Sequence, residues 1–287
     1  MKTVYFNGSF MDKEAVSISP DDRGFLFADG LYEVIRSYQG VLFRPKDHIA
    51  RLSHGARHLK LSRTDFSEFV QIAQVLLEKN GLLSGDATVY FQVTRGEATR
   101  SHAFPLNTPE PTVYAFASKF DALNGEKIKA QGINAITVAD QRWARCDMKT
   151  TALTANVLAN QAAVEQNAKE AIFIRDGVLL EGTHSNFMAV MDNVLVTAPL
   201  SNYILGGITR KVIVEFCERE NIPLEFGPIF EKDVPSVQEM MVVGTTLEIT
   251  PIVKLNHSPI GDGRPGRITK KLQALLKGEI ERCQTNA

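Results

Sequence analysis

Apolar positions along the chain switch between two periods. Val4 and Phe6 alternate ahead of the turn pair Asn7-Gly8, which predicts a short edge strand and a tight turn. Residues 31–38 and 41–44 are β-rich runs about Gln39-Gly40 and read as a hairpin. In its first strand Tyr32, Val34, Arg36 and Tyr38 share one face. The period then becomes helical. Pro45 opens a stretch through Leu61 with His48, Arg51, Leu52 and Gly55 at helical spacing. Residues 66–80 carry Phe66, Phe69, Val70, Ala73, Leu76 and Leu77 on one stripe, ended by Asn80-Gly81. Strands are predicted at 87–94 and 112–118, with a polar loop over 96–105 between them.

Residues 121–126 have no period and hold turn residues, so they are the candidate linker. Beyond them come a strand at 133–138, a helix at 152–166, and a hairpin at 170–175 and 178–180 about Asp176-Gly177. A further strand pair spans 186–191 and 193–198. A helix over 209–221 turns Val212, Ile213, Phe216 and Cys217 inward, and a strand at 240–243 and a helix at 268–282 close the chain. Strands in runs with helices between them point to an α/β or α+β protein of two domains. The expected division is a small α/β domain over 1–118, a linker over 119–125 and a larger domain over 126–287.

Composition narrows the function classes. The 287 residues include 32 Lys+Arg against 33 Asp+Glu, a net charge of −1, which offers neither a nucleic-acid footprint nor a polybasic membrane patch. No apolar run approaches the roughly 18 residues of a membrane span, and the N-terminus has no signal-peptide core, so a cytoplasmic protein is expected. Three widely spaced cysteines, Cys146, Cys217 and Cys283, fit reduced thiols better than a disulfide framework or a zinc site, and no metal is expected. Neither a G-x-G-x-x-G after the first strand nor a G-x-x-x-x-G-K-[ST] occurs.

Five places could carry chemistry, and each has a plain structural reading beside the functional one. Lys149 lies between a strand-like segment and an apolar helix, where burial would free its amine as a nucleophile; it also reads as a solvent lysine at a helix start. Glu181, in Leu180-Glu181-Gly182-Thr183-His184-Ser185-Asn186, could hold a protonated ring nitrogen, or sit in a solvated hairpin loop. Gly206-Gly207-Ile208-Thr209-Arg210 runs into a helix and would cradle a phosphate on free N–H groups, or be an ordinary helix start. Gly244-Thr245-Thr246 offers two hydroxyls at a strand end, or forms a plain turn. Arg100 and His102 point the same way in an extended loop and could grip a carboxylate, or be an exposed basic loop.

Taken in order, these residues resemble the class IV fold of pyridoxal-phosphate aminotransferases, over nearly the whole chain from Tyr5-Phe6-Asn7-Gly8 to about Pro251. The resemblance implies a small α/β domain, a short linker, and a larger domain with a β-barrel-like core. It implies pyridoxal 5'-phosphate as cofactor and a homodimer with sites at domain and subunit interfaces. Lys149 matches the lysine that forms the Schiff base, and Glu181 the acid on the pyridine nitrogen. Arg51 matches the phosphate-binding arginine, Ile208 and Thr209 the phosphate cradle, and Thr245 the second phosphate contact. Gly30-Leu31-Tyr32-Glu33-Val34-Ile35-Arg36 is similar to the D-amino acid branch of the family. That similarity makes Tyr32, Arg100 and His102 a carboxylate trap, the last two from the neighbouring subunit, with Val34 and Thr246 as further substrate contacts. His184 departs from that branch, in a run that is commonly small and hydroxylic. The implied reaction moves an amino group between D-amino acids and 2-oxo acids. An L-branched-chain or (R)-amine transaminase, an aminodeoxychorismate lyase and a non-catalytic carrier of the cofactor are the competing readings.

Overall fold

The computed structural model describes residues 2–285. Its contacts group into two units. One holds the chain up to Phe120 with Met148–Ala152 and the residues from Cys283; the other holds Asp121–Asp147 and Leu153–Arg282. The short lysine-bearing segment therefore counts with the first unit, which a single cut at 119–125 does not separate out. No helix among the described residues is long and apolar enough to cross a membrane.

The first unit contains β1 (Thr3–Phe6), β2 (Ser9–Asp12), α1 (Arg23–Phe27), β3 (Gly30–Tyr38), β4 (Val41–Leu42), α2 (Pro45–His58), α3 (Phe69–Lys79), β5 (Ala87–Thr94) and β6 (Val113–Lys119). Its strands form an antiparallel sheet in the order β2-β1-β6-β5-β3-β4. The β1–β2 turn places Asn7 and Gly8 at φ of 42° and 92°, a left-handed pair that these two residues adopt at least cost. Ile49, Leu52 and Ala56 of α2 and Phe69, Ile72, Leu76 and Leu77 of α3 pack on Leu31, Ile35, Val89, Phe91 and Val93 in one core. Phe69 and Phe91 stack at 4.6 Å. Each such buried side chain contributes about 2 kcal/mol by leaving water. The alternate positions carry an aromatic row, Tyr32, Tyr90, Phe116 and Tyr114, at successive ring separations of 5.8, 5.1 and 5.7 Å.

The second unit contains α4 (Ala122–Gln131), β7 (Ile133–Ala139), α5 (Thr154–Glu165), β8 (Glu170–Arg175), β9 (Val178–Gly182), β10 (Asn186–Met191), β11 (Val194–Thr197), α6 (Ile208–Arg219), β12 (Leu224–Phe226), β13 (Ile229–Phe230), β14 (Glu239–Gly244), β15 (Glu248–Leu255) and β16 (Ser258–Pro259). The last helix, α7 (Arg267–Thr285), ends in the residues that group with the first unit. The mixed sheet runs β12-β11-β10-β14-β15-β7-β8-β9-β13, with β15–β7 and β7–β8 parallel. β9 also pairs β10 through Glu181 and Asn186, which closes β10-β14-β15-β7-β8-β9 into a barrel-like ring. The expected mixed α/β architecture with such a core is therefore present.

Several elements were not legible in the pattern, among them α1, β2, β12, β13 and β16, and for two more, α4 and β15, the structure shows the cause. α4 occupies the segment that shows no hydrophobic period, because none of its residues is buried; Asp121 caps it by accepting from Asn124 N at 3.2 Å. β15 contains Pro251, and a proline inside a run normally argues against a strand. Here Pro251 pairs with Met241 of β14, while β7 joins on the other side only from Ile252, so the parallel ladder begins after the proline.

Candidate active site

Residues 148–152 run extended beside the start of β3. Tyr32 N donates to Lys149 O and Thr151 N to Gly30 O, each at 3.0 Å, and Thr150 bridges Leu31. Met148 is buried in the core under this sheet. Lys149 stands on the alternate side, half-buried, with Nζ donating to the Tyr32 hydroxyl at 3.2 Å and lying 4.2 Å from that ring's centroid. The chain thus makes Lys149 part of an extra sheet edge rather than a helix start, and two backbone bonds fix where its amine emerges.

One residue along β3 from Tyr32, Glu33 faces α2. Its carboxylate is wholly buried and accepts from Arg51 Nε at 2.9 Å, Arg51 Nη2 at 2.7 Å and His48 Nδ1 at 3.0 Å. Burial works to raise the Glu33 pKa, but the Arg51 and His48 charges and bonds overcome it and hold it far below the usual carboxylate range. Burial lowers His48 despite Glu33 beside it. Glu33, to which the sequence alone gives no role, therefore holds the expected phosphate ligand Arg51 in place.

Arg100 and His102 converge on Phe27, with the Arg100 guanidinium 5.0 Å and the His102 ring 5.5 Å from its centroid. Arg23 secures their loop by donating to Ser101 O at 2.6 Å and to Asp29 at 2.9 Å. Both residues are exposed, and neither makes a hydrogen bond or ring contact with Tyr32 among the described residues. Val34, the other half-buried residue on the Tyr32 side of β3, is the register partner of Tyr90, whose hydroxyl burial and Tyr32 push up to about 12.

In the second unit Glu181 is the centre of a buried network. Arg142 Nη1 donates to its Oε1, while Asn186 Nδ2 at 3.1 Å and Leu205 N at 2.9 Å donate to Oε2. Arg142 also donates to Asp140 and to Tyr203 O, and Arg175 donates to Asp140 in turn. Burial would lower the Arg142 pKa, but Asp140 and Glu181 raise it well above its ordinary value. Burial would raise Asp140, and Arg142 and Arg175 hold it down instead. Glu181 is thus held by an arginine and two further N–H donors, rather than sitting in a solvated loop. Arg142 and Asn186 were missed; the one available signal for Arg142 was an Asp-x-Arg pair at the end of a predicted strand.

The turn after Glu181 is organised by a second buried acid. Glu170 accepts from Thr183 N, Thr183 Oγ1 and Ser185 Oγ at 2.9, 2.6 and 2.8 Å. Thr183 has spent its one hydroxyl proton there, so His184 Nδ1, 3.0 Å from Thr183 Oγ1, is the donor of that contact. The His184 ring is 45% exposed. Gly244 lies against the same turn, its absent Cβ position being 3.5 Å from His184 O. Thr245 and Thr246 follow it in the tight β14–β15 connection and are half-buried.

Ile208 and Thr209 open α6, and both are buried. Gly207 provides no side-chain cap, and the first turn holds no acidic residue. An uncapped helix start with a buried hydroxyl and a positive end suits a phosphate monoester. A carboxylate held by an arginine and two further N–H donors suits a protonated pyridine nitrogen. The donor set therefore fits pyridoxal phosphate.

The chain matches the family model for amino-transferase class IV over residues 30–255, and it belongs to that family. It is 40% identical over 282 residues to D-alanine aminotransferase of Staphylococcus haemolyticus, covering 98% of this chain and 99% of that one. Among solved structures, the branched-chain amino acid aminotransferase of Escherichia coli aligns with a TM-score of 0.89 at 24% identity, over 96% of this chain and 94% of that one. A hypothetical aminotransferase from Mycobacterium tuberculosis, in its PLP-bound form, aligns with a TM-score of 0.84 at 21% identity, over 97% and 98%.

Proposed function

We propose that this protein is a pyridoxal-phosphate-dependent transaminase that moves the amino group between D-amino acids, such as D-alanine and D-glutamate, and 2-oxo acids such as pyruvate and 2-oxoglutarate. Full-length similarity to a D-alanine aminotransferase at 40% identity supports the D-amino acid class. The observation that carries the chemistry is the Lys149 amine held 3.2 Å from the Tyr32 hydroxyl.

Arg51, Ile208, Thr209 and Thr245 hold the cofactor phosphate in this reading, and Glu181 holds the ring nitrogen. The cofactor, when bound, supplies the electron sink that a substrate Cα–H bond needs in order to break. Lys149 Nζ takes the α-proton and later returns it, acting as base and then acid on one face of the substrate. Tyr32 keeps that amine in place between the two transfers. Glu181, paired with Arg142, would hold the proton on the ring nitrogen. Arg100, His102 and Tyr32 orient the substrate carboxylate, with Val34 and Thr246 as further contacts, and that orientation selects which α-face meets Lys149. The family resemblance takes Arg100 and His102 from the neighbouring subunit, so the reading includes a homodimer in which they serve the neighbour's site.

The test is a half-reaction without acceptor. Cofactor-loaded protein should lose its visible absorption band rapidly with D-alanine and keep it with L-alanine or L-leucine. Bleaching with L-leucine alone would overturn the D-amino acid assignment. Full transaminase activity in Lys149→Ala would overturn the role of Lys149.

A further inference from the structure

We propose that Asn186 is a positioning residue that holds the acid Glu181 and the N-terminus of α6 at one fixed separation. A pyridoxal phosphate molecule carries its nitrogen in a rigid ring and its phosphate on a short arm from that ring, so the two ends of its site must stand within a narrow range of distances. This inference rests on the reading of Glu181 and Thr209 as cofactor residues.

Asn186 and Glu181 face each other where β9 and β10 close the ring of strands. Asn186 is buried, and its amide nitrogen has two protons to give. One goes to Glu181 Oε2 at 3.1 Å and the other to Leu205 O at 2.8 Å. Leu205 N donates back to the same Glu181 oxygen at 2.9 Å. Acid, amide and Leu205 therefore form a closed circuit of three hydrogen bonds. Leu205 stands three residues before Ile208, the first residue of α6, with only Gly206 and Gly207 after it. The opposite end of the same amide fills the space beside Gly207: a Cβ built there would lie 2.0 Å from Asn186 Oδ1. One planar group thus presses its NH2 end on the acid and its oxygen end on the entry to the helix. A side chain on Gly207 would push the two apart, which is a physical reason for glycine at a backbone φ of −68° that any residue could adopt.

An asparagine that only closed the barrel would affect every ligand of the unit alike. A spacer acts differently, because binding two linked groups exceeds the sum of the parts only when their receptors are correctly spaced. The experiment measures dissociation constants of the apoprotein for pyridoxal phosphate, for pyridoxal and for inorganic phosphate. In Asn186→Ala, pyridoxal phosphate should bind about tenfold more weakly or worse, while each fragment changes less than about threefold. Gly207→Ala, which disturbs the other end of the amide, should give the same pattern and serves if Asn186→Ala does not fold. The melting temperature of each apoprotein reports folding separately. Equal losses for whole and fragments, or no loss in either variant, would overturn the spacer role. Glu181→Gln separates the two levels. If it leaves the pH dependence of the bound cofactor's absorption unchanged, the reading of Glu181 fails and this inference falls with it. If Glu181→Gln shifts that dependence but the Asn186 and Gly207 variants bind normally, the spacer role alone fails.

Discussion

Glu33 grips Arg51 through two hydrogen bonds, 2.7 Å to Nη2 and 2.9 Å to Nε, and takes His48 on the same carboxylate. A wholly buried carboxylate cannot be deprived of its cations cheaply. Glu33→Gln should destabilise the fold by about 3 kcal/mol at pH 7 and loosen Arg51. The pH dependence has a definite sign. Native Glu33 is held well below its unfolded pKa, so the unfolded chain takes up that proton first, and stability drains as pH falls below about 4.5. His48 is also lowered by burial, so its contribution is lost in the same direction, from about pH 6.5 downward. Melting temperatures between pH 8 and 3.5 should fall in two stages, with the lower stage flattened in Glu33→Gln. A wild-type curve that rises on acidification would refute the assignment.

Arg142 donates to Glu181 and also pairs with Asp140. Arg142→Met preserves bulk but takes this cation from Glu181 and leaves Asp140 with Arg175, at a cost of about 3 kcal/mol. Glu181, without that cation beside it, would lose its hold on a protonated ring nitrogen. The bound cofactor in Arg142→Met should therefore show the absorption spectrum of the Glu181→Gln protein. Arg142→Lys should recover part of the stability but not the spectrum, since one ammonium cannot reproduce the fork to Asp140, Glu181 and Tyr203 O. A wild-type spectrum in Arg142→Met would separate the arginine from the acid's hold on the ring nitrogen.

Local patterning made most of these elements legible, because the strands and helices that bury one face write a period into the chain. The runs at 31–38, 87–94 and 170–175 all emerged as strands close to their expected ends. α4 was hidden because it buries nothing, and β15 because Pro251 sits where one of its neighbours has not yet joined. The ionisable residues divide in the same way. Lys149, Glu181 and Arg51 stand in local runs whose order resembles a family. Glu33, Arg142, Arg23 and Asn186 act through partners 15 to 78 positions away, or across a ring closure, and no window of sequence displays that.

The three cysteines should differ in reactivity. Burial pushes the Cys146 and Cys217 thiols up to about 11, so at pH 8 only about one in a thousand of each is thiolate. Cys283 near the end of α7 is partly exposed. A chromogenic disulfide reagent at pH 8 should titrate one thiol per native chain quickly and three after denaturation, and Cys283→Ser should remove the fast phase. A second fast thiol in the native protein would mean that Cys146 or Cys217 is more accessible than its burial implies.

Arg100 and His102 sit on Phe27, and the proposed homodimer, in which they serve the neighbour's site, has a sharp consequence. Arg100→Ala should impair carboxylate binding, and Lys149→Ala should abolish turnover. If Arg100 serves the neighbour's site, a hybrid of the two variants has one site with both lesions and one site with neither. Random re-association of equal amounts should then restore roughly a quarter of wild-type activity. If Arg100 serves its own chain, every site in every hybrid carries a lesion and mixing restores nothing. Dissociating the two purified variants, reassociating them together and assaying D-alanine turnover distinguishes the cases without any assumption about rates.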